Sequence, residues 1–134
     1  MRALPALALL LASLASHAET PQQIRQAYAA EASSQQPAFS PSAKRGEAFF
    51  RQRFAINDKM PACTSCHTDN PLNAGQHAVT GKTIRPLASA ANAERFTDPD
   101  KVKKWFGRNC KEVVGQACTP AEKADFIAYM SEVR

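Results

Sequence analysis

Two cysteines and a histidine stand close enough in this sequence to act on one cofactor. Cys63 and Cys66 lie in Ala62-Cys63-Thr64-Ser65-Cys66-His67, a C-x-x-C-H segment. That spacing is the attachment signature of c-type haem. Two thiols three positions apart on a tight turn reach the two vinyl groups along one side of a porphyrin and form thioethers, and the next residue's imidazole is held beneath the iron. Two other uses of the spacing fit less well. A redox dithiol sits at a helix start after a strand, and nothing strand-like precedes Cys63. A zinc site would need four convergent ligands such as Cys63, Cys66, His67 and His77, and the adjacent Cys66 and His67 seldom share one tetrahedral centre. The expected cofactor is one covalently attached haem c.

Cys110 and Cys118, eight positions apart, are the other two of the four cysteines. In an oxidising compartment with no other thiol to pair, they should form a disulfide. Closing so short a loop contributes on the order of 2.5 kcal/mol in the chain-entropy account. Export is read from the start of the chain. Met1-Arg2 is followed by an alanine and leucine run from Ala3 to Leu14, then Ser16-His17-Ala18. This is the pattern of a signal peptide cleaved after Ala18, and the run is too short to span a bilayer. The mature segment, residues 19–134, reads as one small periplasmic domain.

The net charge of +5 falls to +4 once Arg2 is removed. Two haem propionates would offset about half of that. This is a weak pointer to nucleic acid, and no nucleic-acid partner is expected. A docking face for an acidic redox protein, or a merely solvated surface, accounts for it as well.

The elements that must position these residues read as helices. Thr20-Pro21-Gln22-Gln23 opens one, running to about Ser34. Residues 33–42 are polar and broken by Pro37 and Pro41. Ser42 to Phe54 forms a second, with Ala43, Gly46, Phe49, Phe50 and Phe54 at helical spacing. Ile56 to Asn92 shows no sustained period and is punctuated by Pro61, Pro71, Gly75, Gly81 and Pro86, as expected of a loop that wraps a haem. A third helix starts at Thr97-Asp98-Pro99-Asp100 and runs to about Asn109, and a fourth starts at the capping box Thr119-Pro120-Ala121-Glu122. No strand pair and no repeat is expected. The fold class is all-α, a small class I-like cytochrome c fold of about four helices around one covalently bound haem.

The sixth iron position decides between electron transfer and ligand binding. Met60, three residues before the motif, is tied to the same side of the haem as His67. Met130, with Phe126 and Ile127, reads as core packing, though it remains the alternative ligand of a plain electron carrier. His17 leaves with the signal, and His77 sits in a polar loop. Val102, Trp105, Phe106 and Asn109 fall at i, i+3, i+4 and i+7, so Asn109 shares a face with three apolar residues. Its amide either caps the helix end or binds ferric iron through oxygen. Lys104 and Arg108 should point to solvent, which leaves no proton-moving pair for strong peroxidase chemistry. Lys82 and Arg85 are possible propionate contacts, with a solvated surface position the plainer reading.

The sequence resembles the sphaeroides haem protein family of monohaem cytochromes c over nearly the whole mature chain. The resemblance is carried by Gly46-Glu47-Ala48-Phe49-Phe50, Cys63-Thr64-Ser65-Cys66-His67-Thr68, Thr80-Gly81-Lys82-Thr83-Ile84 with Pro86-Leu87, Arg95-Phe96-Thr97-Asp98-Pro99, and Trp105-Phe106 through Asn109-Cys110 to Cys118-Thr119-Pro120-Ala121-Glu122-Lys123. It implies that Asn109 is the sixth ligand of the ferric iron and leaves on reduction, admitting oxygen, nitric oxide or carbon monoxide. It also implies that the Cys110–Cys118 bridge limits the swing of Asn109. The implied electron donor is a dihaem cytochrome c or other redox protein, and any membrane link runs through a partner cytochrome b.

Overall fold

The computed structural model describes residues 18–134. The expected signal segment, with His17, lies outside the described residues. Among the described residues there are five α-helices: α1 Pro21–Ser33, α2 Ala43–Arg51, the single turn α3 Thr64–His67, α4 Pro99–Asn109 and α5 Pro120–Glu132. None of the described helices is long and apolar enough to cross a membrane.

The long helices begin where the sequence supplies caps. Thr20 accepts from the Gln23 N–H while the Gln23 side chain accepts from the Thr20 N–H, and Thr119 and Glu122 repeat this reciprocal pair at α5. Ser42 caps α2 and Asp98 caps α4. Each arrangement satisfies N–H groups that a helix start leaves unpaired. α2 stops at Arg51, short of the expected Phe54, because Gln52 turns to extended backbone.

The core forms where α5 packs against α1 and α2. Gly46 makes the α2–α5 crossing possible, since a Cβ there would run into the Asp125 carbonyl and lie 2.9 Å from Tyr129 Cβ. Phe50, Ile127 and Met130 are fully buried there with Ile24, Phe126 and Tyr129. Arg45 closes the top of the crossing. Its Nε and Nη2 donate to the Asp125 carboxylate at 2.7 and 2.9 Å, and the Ser42 N–H donates to the same group at 2.7 Å.

One expectation is corrected in the loop. Residues 75–76 and 83–84 form a short antiparallel pair, β1 Gly75–Gln76 with β2 Thr83–Ile84, in register Gly75 to Ile84 and Gln76 to Thr83. Two residues per strand are too few for any alternation of apolar and polar residues to show in the sequence. The pairing is held by tertiary contact.

Candidate functional site

Cys63, Cys66 and His67 come together on the turn that contains α3. The N–H groups of Cys66 and His67 both donate to the Cys63 carbonyl, at 3.3 and 3.2 Å. The turn ends abruptly at Thr68, whose φ of 61° and ψ of 173° lie in a region that favours glycine. A β-branched residue holds that geometry only where its surroundings dictate it. The β1–β2 pair lies directly against the turn. Gly75 is buried, and a Cβ on it would collide with the Cys66 carbonyl and come within 3.0 Å of His67 Cα. The Ala78 N–H donates to Cys66 Sγ at 3.3 Å.

Cys63 and Cys66 are free thiols of intermediate exposure. Burial pushes the Cys63 thiol up to about 11, with the Cys66 charge adding to the effect. Burial also lowers His67 to about 4, helped by the charges of Arg95 and His77. A neutral imidazole offers its lone pair to a metal. Among the described residues the His67 ring makes no hydrogen bond. Two free thiols in C-x-x-C spacing and a neutral, unengaged imidazole on the next residue are a donor set that can hold a haem.

His77 is accounted for by the hairpin. Its Nδ1 accepts the N–H groups of Val79 and Thr80, each at 3.2 Å, so it shapes the turn. Met60 is buried, and its N–H donates to Asn57. Met130 is 0% exposed within the α1–α2–α5 core, and its carbonyl accepts the Ser89 N–H, as expected of a packing residue.

α4 departs from the single buried face read from its spacing. Val102 is buried and Phe106 docks edge-on against Phe126 and Tyr28, with centroids 5.6 and 5.9 Å apart. Trp105, however, is 46% exposed, and Asn109 is exposed as well. At 3.6 residues per turn, Phe106 lies about 40° to one side of Val102, while Asn109 and Trp105 lie about 20° and 60° to the other. The core takes the first side. Trp105 and Asn109 therefore share a flank, where Lys104 Nζ and Arg108 Cζ each lie 5.9 Å from the Trp105 ring centre. Both cations are exposed, as expected.

The Asn109 side chain makes no capping bond, which removes the capping role left open by the sequence. Helix α4 does not end there. It runs on into a π-helical turn, Cys110–Val114, closed by the Gly115 N–H to the Cys110 carbonyl at 3.0 Å. Gly115, at φ 83°, terminates it and packs on Ile56 from the loop that leads into the cysteine motif. Single π-turns inside helices gather at functional positions. Cys110 and Cys118 are joined as expected, both buried, with Cα atoms 5.6 Å apart. Phe106 and Cys63 pack against the same buried cluster, so α4 and the cysteine turn share one support.

Residues 36–130 match a family described as a domain of unknown function, DUF1924. Two characterised relatives are similar. Cytochrome c'' of Methylophilus methylotrophus is 49% identical over 92 residues, a match spanning 68% of this chain and 64% of that protein. Its solution structure, described as giving insights into the structural basis of haem-ligand detachment, superposes with a TM-score of 0.70 at 43% identity over 82% of this chain and 90% of that one. The cytochrome c-type protein SHP of Cereibacter sphaeroides is 47% identical over 90 residues, spanning 66% of this chain and 69% of that protein. The structure of oxidised SHP, described as an oxygen-binding cytochrome c, superposes with a TM-score of 0.75 at 42% identity over 85% of this chain and 97% of that one.

Proposed function

This chain belongs to the sphaeroides haem protein family of monohaem cytochromes c, and from that premise we propose that it is an exported electron acceptor that binds a small diatomic ligand at its haem iron. The observation that carries the reading is Asn109, an exposed amide with no capping bond, placed between a packed helix and a disulfide. A bound haem supplies one-electron redox chemistry and an iron with two axial positions.

The protein's own residues do the rest. Cys63 and Cys66 would fix the porphyrin edge through thioethers, and His67 would ligate the iron from the proximal side. Asn109 would occupy the sixth position of the ferric iron through its amide oxygen. Ferrous iron prefers softer ligands, so Asn109 would withdraw on reduction and leave its place to oxygen, nitric oxide or carbon monoxide. Oxygen binding in one of the two relatives and haem-ligand detachment in the other support this sequence of events. Nothing favours Met130 as a permanent ligand, since its thioether is spent in the core. The electron donor would be a dihaem cytochrome c or a similar redox protein in the periplasm, with membrane attachment only through a partner cytochrome b.

Absorption spectra of the purified protein in both redox states, with and without carbon monoxide, test the proposal. A high-spin ferrous form that takes up carbon monoxide at once is the expected result. A six-coordinate ferrous form inert to carbon monoxide would overturn it.

A further inference from the structure

The loop between β2 and α4 holds two arginines in unlike circumstances. Arg85 is exposed, and its charge is already balanced: Nη1 donates to Glu94 Oε2 at 2.6 Å and Nη2 to Asn92 Oδ1 at 3.0 Å. Arg95 is half-buried and pairs with no carboxylate among the described residues. Its Nε donates to the Pro86 carbonyl at 2.8 Å and its Nη2 to the Arg85 carbonyl at 2.6 Å. Both acceptors are neutral, and Nη1 has no protein partner among the described residues. Burial and the neighbouring Arg85 both act against its charge. A half-buried cation that meets only neutral acceptors is unfavourable unless an anion joins it.

The surroundings fix where Arg95 sits. Phe96 follows Arg95 with φ 59°, a left-handed conformation for a bulky residue, and its ring is buried in the cluster on which Cys63 packs. Leu87 follows Pro86 into the same cluster. The N–H groups of Leu87 and Ala88 both donate to the Pro71 carbonyl at 3.0 Å, tying the arginine loop to the segment that leaves His67. Arg95 is thus held from both sides beside the cysteine turn. A haem held through Cys63, Cys66 and His67 carries two carboxylates on the porphyrin edge away from the thioethers, and a planar guanidinium with a free edge, on a loop tied to the segment that leaves His67, suits one of them.

We infer that Arg95 is the residue that receives a haem propionate, positioning the porphyrin on its proximal side, and that the exposed Arg85 and Lys82 do not. The inference rests on haem attachment at Cys63, Cys66 and His67. A cation fixed beside the haem favours the reduced iron, so Arg95 also holds the midpoint potential up.

Haem content is measured first, by the pyridine haemochrome spectrum. A wild-type protein without covalent haem refutes the attachment and is told apart by that measurement. Midpoint potentials are then taken on haem-loaded Arg95→Gln, Arg95→Lys and Arg85→Gln. Arg95→Gln should shift the redox equilibrium roughly tenfold toward ferric, about 59 mV lower for one electron. Arg95→Lys should restore most of the potential, and Arg85→Gln should leave it near wild type. An unmoved potential in Arg95→Gln, an equal fall in Arg85→Gln, or a Lys variant as low as the Gln variant overturns the inference. If Arg95→Gln does not retain haem, a crystal structure of the wild-type holoprotein decides. Arg95 beyond hydrogen-bond reach of both propionates overturns the inference, and a bond at Nη1 sustains it.

Discussion

Replacing Asn109 by Ala separates a ligand from a structural amide, because the two roles leave different traces. The Asn109 side chain is exposed and makes no hydrogen bond among the described residues, so its removal breaks no packing and no cap. Alanine is also the better helix former, by roughly 0.5 kcal/mol. The unfolding free energy of the ferrous protein should therefore stay within about 0.5 kcal/mol of wild type. Ferric ligand binding should respond far more. An internal ligand bound nine-tenths of the time lowers the apparent affinity of an incoming one about tenfold, and at 99% occupancy about a hundredfold. Ferric Asn109→Ala should bind imidazole or cyanide at least about tenfold tighter, near 1.4 kcal/mol. Ferrous carbon monoxide affinity should stay within about twofold, since the amide has already left. Optical titration in both redox states measures these affinities, and urea unfolding under dithionite measures the stability. Equal ferric affinities would refute the ligand role. A stability loss well beyond about 1 kcal/mol would return Asn109 to a structural one.

Three further outcomes are expected. Gly75→Ala puts a Cβ into the Cys66 carbonyl, so β1 must lift from the cysteine turn; the fraction of chains carrying covalent haem, read from the Soret to protein absorbance ratio, should fall severalfold, and an unchanged ratio would show that the contact is dispensable. Gly46→Ala drives α2 off the Asp125 carbonyl and Tyr129, and after a helix-propensity gain of about 1 kcal/mol the net loss should be about 2 kcal/mol, lowering the melting temperature by roughly 10 °C. The double change Cys110→Ser, Cys118→Ser should cost about 2.5 kcal/mol of stability and alter the rate of ferric ligand exchange in stopped-flow mixing; unaltered rates would confine the bridge to a stabilising role.

The legible parts of this protein were those fixed by local chemistry. Thr20, Asp98 and Thr119 announce helix starts because capping needs only a few neighbouring residues, and all three cap helices as read. The C-x-x-C-H turn and the Cys110–Cys118 pair follow from thiol chemistry at short spacing. What remained hidden depends on distant contact. The β1–β2 pair exists because Gly75 lets it press on Cys66, and a two-residue strand has no pattern of its own. The exposure of Trp105 could not be read from periodicity, which gives an arc of helix surface but not which edge of that arc the core will take. Arg95, in the segment Arg95-Phe96-Thr97-Asp98-Pro99, carries no spacing or pattern in the sequence that marks it out. Its half-buried, unpaired state emerges only when Pro86 and Arg85 fold back over it.

The path along α4 also limits what kind of motion Asn109 can make. Phe106, one turn before it, is clamped between Tyr28 and Phe126, and Cys110, immediately after it, is buried and bonded to Cys118. A displacement of the whole helix would break the first restraint, and an unwinding beyond Cys110 would strain the second. What stays free is the Asn109 side chain, just ahead of the π turn in which the Gly115 N–H reaches back five residues to Cys110. An i→i+5 turn carries one residue more than an α-helical turn and can return it at little cost in hydrogen bonds. A ligand exchange built on this segment would therefore be short in range and quickly reversed. Such an exchange would open the iron on reduction and return the amide to it on reoxidation.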